Sequence, residues 1–119
     1  MGSSIEMKKT ESPTEAIKTF FEMVPGIQCA FIYGSFPKRP RNPEGEVEIM
    51  VVGGPDLAEM DQIILKAEEE LKRGIRLTSF TVRELRERVK VKDRLVSKAL
   101  NRTKIMLIGD EREMGGLLA

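Results

Sequence analysis

Gly34-Ser35 closes an apolar run, Ile27 to Tyr33 (IQCAFIY), and Glu46 and Glu48 open a second one, EVEIMVV. Side chains two residues apart along a strand share a face, so the two glutamates are expected side by side next to the Gly-Ser turn. Paired carboxylates there offer hard oxygen ligands to a divalent ion such as Mg²⁺. The glycine lets backbone N–H groups come close to a phosphate. The intervening segment, SFPKRPRNPEG, carries Lys38, Arg39 and Arg41. These cations suit a phosphate or a nucleic-acid backbone, and the prolines among them lower the ordering cost of binding. The same residues also fit a plainer role as the solvated mouth of a strand, a strand-ending turn and a charged loop.

Other chemistry is excluded by what is missing. The chain has 119 residues and no histidine, which removes Ser-His-Asp and Cys-His catalysis, His-ligated zinc and imidazole acid–base work. Cys29 is its one cysteine, so neither an intrachain disulfide nor a cysteine metal cluster is available, and a reducing cytoplasm is the expected setting. Twenty Lys+Arg against nineteen Asp+Glu leave a net charge of +1, so charge does not indicate a nucleic-acid partner. No apolar run has the ~18–20 residues a membrane span needs, and the first ten residues lack a signal-like apolar stretch.

The elements that must position the pair follow from periodicity and stop signals. Residues 1–11 are polar and aperiodic and are expected to form a flexible lead. Ser12-Pro13-Thr14-Glu15 starts a helix whose apolar stripe is Ala16, Ile17, Phe20, Phe21 and Val24, stopped by Pro25-Gly26. Strands are expected over 27–33 and 46–52. A long amphipathic helix runs from Asp56 to Arg73 with Gly74 as its stop, followed by a strand over 75–80. Thr81 to Glu84 forms a capping box that opens a helix to about Lys90. A further helical segment spans 93–101 and a last strand 103–108. Residues 111–119 read as a weakly specified tail after a domain covering 12–110. The order α-β-β-α-β-α-α-β predicts an α+β domain with a small mixed sheet and helices packed mainly on one face. The two strands joined by the proline-rich loop should be antiparallel, and the helical crossover should bring in a parallel pair.

At Gly34-Ser35 and Glu46-x-Glu48 the chain resembles the minimal nucleotidyltransferases of the DNA polymerase β superfamily, nearest the archaeal stand-alone or winged-helix-linked members. That family has a strand ending in Gly-Ser, a loop, and an Asp-x-Asp pair leading an apolar strand. Glu46 and Glu48 lie twelve and fourteen residues after Gly34, the offsets of the two family aspartates. The resemblance spans roughly residues 12–110. It implies a nucleotidyltransferase-like fold and transfer of a nucleoside monophosphate from a nucleoside triphosphate to an acceptor hydroxyl. It also implies Mg²⁺ held by three carboxylates, with Ser35 on the triphosphate and Glu46 and Glu48 as metal ligands and catalytic residues. Gly34, Ser35, Lys38 and Arg39 are then the phosphate-binding set.

The chain departs from that pattern at each carboxylate. Glutamates replace both aspartates, and the third acidic position, early in the strand 75–80, aligns with Arg76. A cation there repels Mg²⁺. Two functions follow. One is a degenerate nucleotide-binding or regulatory module lacking the full metal centre, for which a protein partner is plausible. The other is an active Mg²⁺-dependent transferase. The degenerate reading predicts Arg76 paired with Glu46 or Glu48.

Overall fold

The computed structural model describes residues 12–37 and 45–118. The expected lead 1–11 and the loop cations Lys38, Arg39 and Arg41 lie outside the described residues. The elements run α1 (Pro13–Glu22), β1 (Ile27–Tyr33), β2 (Val47–Gly53), α2 (Leu57–Leu71), β3 (Ile75–Phe80), α3 (Val82–Lys90), α4 (Arg94–Asn101), β4 (Ile105–Ile108) and α5 (Glu111–Leu118).

Short polar side chains set the helix starts. Ser12 Oγ accepts from the Glu15 N–H, and Asp56 Oδ1 accepts from Ala58 and Glu59. Thr81 and Glu84 form the expected reciprocal capping box, at 3.0 and 2.8 Å. Asp93 caps α4 through the Val96 N–H, and Asp110 caps α5 through the Glu113 N–H. The Val96 hydrogen bond, then the nearby Arg88, holds the Asp93 carboxyl below its ordinary range. At the far end of α2, Lys72 rather than Gly74 takes the left-handed conformation, with φ 57°.

The sheet order is β3-β2-β1-β4. β1 and β2 pair antiparallel, β2 and β3 pair parallel across the α2 crossover, and β4 joins the free edge of β1 antiparallel. This order gathers one end of each strand at a single edge of the sheet. The C-terminal end of β1 meets the N-terminal ends of β2, β3 and β4, so Gly34-Ser35, Glu46, Glu48 and Arg76 become neighbours.

The larger core lies under α1 and α2, where Ile17, Phe20, Phe21, Met60 and Ala67 pack on Ala30, Ile32, Val47, Ile49 and Val51. The opposite face is covered as well. There Leu85, Val96, Ala99 and Met114 from α3, α4 and α5 pack on Cys29, Phe31, Tyr33, Met50 and Val52. Helices thus lie on both faces rather than mainly on one, because both parities of β1 and β2 are apolar and each face must be removed from water. The expected tail is also corrected. Residues 111–118 form α5, whose Met114 is buried in the second core, and Gly115-Gly116 disguise the helix in the sequence. Among the described residues no helix is long and apolar enough to cross a membrane.

Cys29 is fully buried in this second core. Burial, and secondarily Glu113 on α5, push its thiol up to about 11 from an ordinary 9.0. The unfolded chain therefore loses the thiol proton first. The stability contributed by the neutral thiol is intact below pH 9 and is lost as pH rises through 11. Urea midpoints measured between pH 8 and 11 should fall for wild type and fall less for Cys29→Ala, and parallel curves would contradict this.

Candidate functional site

The turn after β1 is built around one glycine. Gly34 has φ +78°, and a Cβ at that position would fall on the Glu48 carboxylate. An L side chain there would meet backbone strain of ~1–2 kcal/mol as well as displace Glu48. Ser35 is exposed, and Phe36 turns back into the larger core with 1% exposure. The Arg73 guanidinium sits 5.0 Å from the Phe36 ring centroid. The turn is therefore pinned from below by an aromatic side chain.

Glu46 and Glu48 were expected side by side, and their carboxylates lean toward different neighbouring strands. Register places Glu48 between Tyr33 on β1 and Arg76 on β3, and its carboxylate leans over Gly34 on the β1 side. Glu46 leans the other way. Its Cγ and Oε2 lie 3.3 and 3.4 Å from where a Gly74 Cβ would be, and its Oε1 receives Arg76 Nη2 at 2.8 Å. The predicted ion pair with Arg76 is thus present, at Glu46. Its side chains are 65% and 50% exposed, so it stabilises the fold by at most ~1 kcal/mol. Its chemical consequence is larger, because it occupies one of the two candidate metal ligands with a cation.

A two-metal centre needs several carboxylates around ions ~4 Å apart. Among the described residues no three acidic, cysteine or histidine side chains gather to hold a metal. Asp56, Asp93 and Asp110 are engaged as helix caps. Asp56 and Asp110 follow Gly53 and Gly109, which lie against Ile27 and Cys29 at the opposite end of the sheet. Among the described residues the donor set does not fit the metal that the sequence resemblance implied.

Glu48 opens instead onto a cavity of about 390 Å³, lined by Tyr33, Gly34, Ser35, Glu48, Leu95, Lys98, Arg102 and Thr103. Lys98 on α4 and Arg102 just past its end are exposed, and neither makes an ion pair among the described residues. Sequence reasoning missed both. Their signal was a pair of cations four residues apart at a helix end, where they complement the helix dipole. On α3 the basic side chains are engaged elsewhere, with Arg83 3.6 Å from Glu87 and Arg86 Nε donating to Leu117 O at 2.6 Å. Tyr33 is 4% exposed, and its hydroxyl has no hydrogen-bond partner among the described residues. The cavity can thus present two cations and the Ser35 and Thr103 hydroxyls to an anionic ligand. Of the predicted phosphate-binding set, Gly34 and Ser35 line it, while Lys38 and Arg39 lie outside the described residues.

No protein-family model and no curated sequence matches the chain. Solved structures do. It is similar to a mutant MntA-HpeT toxin-antitoxin, with TM-score 0.60 and 20% identity over 90% of this chain and 80% of that one. That mutant carries two Asp-to-Glu changes two residues apart. A toxin-antitoxin structure with AMP-PNP gives TM-score 0.61 at 17% identity, covering 89% and 80% of the two chains. A third structure, a tri-AMPylated Shewanella oneidensis HEPN toxin in complex with MNT antitoxin, gives 0.59 at 16%, covering 89% and 77%. At these identities the likeness is one of fold. The chain has an α+β fold with a four-stranded mixed sheet, nucleotidyltransferase-like as in these neighbours.

Proposed function

We propose that this chain is a nucleotide-binding or regulatory module on a nucleotidyltransferase scaffold, lacking the full metal centre and acting with a protein partner. The observation that carries the reading is the Arg76–Glu46 ion pair, at 2.8 Å, beside a cavity that keeps Gly34, Ser35 and Glu48. A cation in the place of a third carboxylate opposes Mg²⁺, whereas the Gly-Ser turn and the flanking basic residues favour an anionic ligand. The neighbours support both halves of the proposal. One is described with AMP-PNP and another as a toxin in complex with an antitoxin. Nothing in the reading requires Mg²⁺ as a resident cofactor.

A second reading, an active Mg²⁺-dependent nucleotidyltransferase, is favoured by one observation. Glu48 stands in the cavity with no ion pair among the described residues, leaving a carboxylate to hold metal.

Isothermal titration of ATP, GTP and CTP, combined with a radiolabel assay for nucleotide transfer, separates the two. The module reading expects binding that is weakened by Ser35→Ala, with no transferred label. Labelled product that disappears in Glu48→Gln would establish the enzyme instead. A partner is sought by co-purification of the tagged chain from its native host, and its nature is then read from which surface it protects.

A further inference from the structure

We propose that the cavity holds a polyphosphate chain directly through Lys98 and Arg102, so that binding needs no divalent ion and is weakened by one. This rests on the nucleotide reading above and specifies how the site grips its ligand.

The carboxylate side of the site is poorly equipped to recruit a metal. Glu46 is engaged by Arg76 at 2.8 Å, and Glu48 is the one carboxylate among the described residues that line the cavity. One carboxylate is the minimum with which Mg²⁺ is usually held beside substrate phosphates, and it is short of what a two-metal centre needs. The basic side of the site is free. Among the described cations nearby, Lys104 is tied to Glu111 at 3.2 Å and Arg73 lies over Phe36. Lys98 and Arg102 line the cavity without an ion pair among the described residues.

Their location matters as well. The C-terminal end of α4 carries partial negative charge, which repels a phosphate when bare. Two cations at that end reverse the sign of the local field. Ser35 and Thr103 add hydroxyl donors along the wall. The cavity volume, about 390 Å³, lies in the range of small-ligand sites.

The sign of the Mg²⁺ effect distinguishes this arrangement from a metal-bridged one. Mg²⁺ in solution coordinates the same phosphate oxygens that a lysine and an arginine need. In a cation-lined site it therefore competes for the ligand. In a carboxylate-lined site it bridges, and affinity rises.

The probes are ATP and inorganic tripolyphosphate, each titrated into the full chain in EDTA and then in excess Mg²⁺. Binding of both is expected in EDTA, with a several-fold loss on adding Mg²⁺. Lys98→Ala and Arg102→Ala should each weaken binding roughly tenfold in EDTA, as loss of one charge-assisted contact implies. Both side chains are exposed, so thermal midpoints should stay at the wild-type value, which separates a ligand contact from a folding defect. Affinity that appears only with Mg²⁺, or rises tenfold with it, overturns the inference while the nucleotide reading stands. So does full affinity in both variants. If neither probe binds with or without Mg²⁺, the nucleotide reading itself falls.

Discussion

Phe36→Ala should lower the stability of the domain by about 3–5 kcal/mol, the usual cost of truncating a fully buried phenylalanine. For a chain of this length that corresponds to a fall of roughly 10–20 °C in the thermal midpoint. Three effects add. Phe36 is 1% exposed and belongs to the core that also holds Phe20, Phe21 and Met60. Its removal leaves a cavity that neighbours fill only in part. It also removes the ring beneath the Arg73 guanidinium, 5.0 Å away. Finally it releases the turn that presents Gly34 and Ser35, so affinity for ATP should drop beyond what the lost stability explains. Thermal and urea unfolding measure the first effect, and titration well below the midpoint measures the last. A midpoint within about 3 °C of wild type would mean that the turn is not anchored through Phe36. Phe36→Leu, which keeps most of the buried volume, should recover most of the stability and the affinity.

Arg76→Asp is expected to reverse the response of nucleotide binding to Mg²⁺. In the wild-type chain Arg76 neutralises Glu46 at 2.8 Å, and Glu48 is its register neighbour on β2. Replacing the guanidinium by a carboxylate changes the local charge by two units and leaves three acidic side chains on adjacent strand ends. In EDTA those charges repel a polyphosphate, and ATP affinity should fall at least tenfold. With Mg²⁺ present the same carboxylates become ligands, so affinity should rise with the ion rather than fall. The fold should barely notice, since the lost ion pair is exposed and such pairs contribute ~0–1 kcal/mol. Paired titrations in EDTA and in Mg²⁺, with a melting curve as control, give all three quantities. If Mg²⁺ still weakens ATP binding to Arg76→Asp, then the divergence of Glu46 and Glu48, and not the arginine alone, prevents metal assembly.

Much of the architecture is readable along the chain because its causes are local. Ser12 and Thr81 announce helix starts through side-chain oxygens that reach N–H groups three residues on, and both caps are formed. The runs at 27–33 and 75–80 are strands at the expected bounds. The antiparallel and parallel pairings follow from loop length and the α2 crossover. The Gly-Ser turn with two acids at its offsets was likewise visible, as was the risk that Arg76 posed to them. Where the local signal was weak, the reading failed. Gly115-Gly116 hid α5, which is held by the Asp110 cap and by burial of Met114. A loop-like context hid the core role of Phe36.

The site itself was decided only by the tertiary structure. Period-two alternation determines which face of the sheet Glu46 and Glu48 occupy, but not which neighbouring strand each leans toward. That depends on the order β3-β2-β1-β4, which sets Gly74 and Arg76 on one side of them and Gly34 on the other. The same order brings Lys98 and Arg102 to the Gly34-Ser35 turn from more than sixty residues away. Composition and spacing determined the elements and the chemistry excluded. Long-range packing, driven by burial of both apolar faces of the sheet, determined which charges meet and therefore what the cavity can hold.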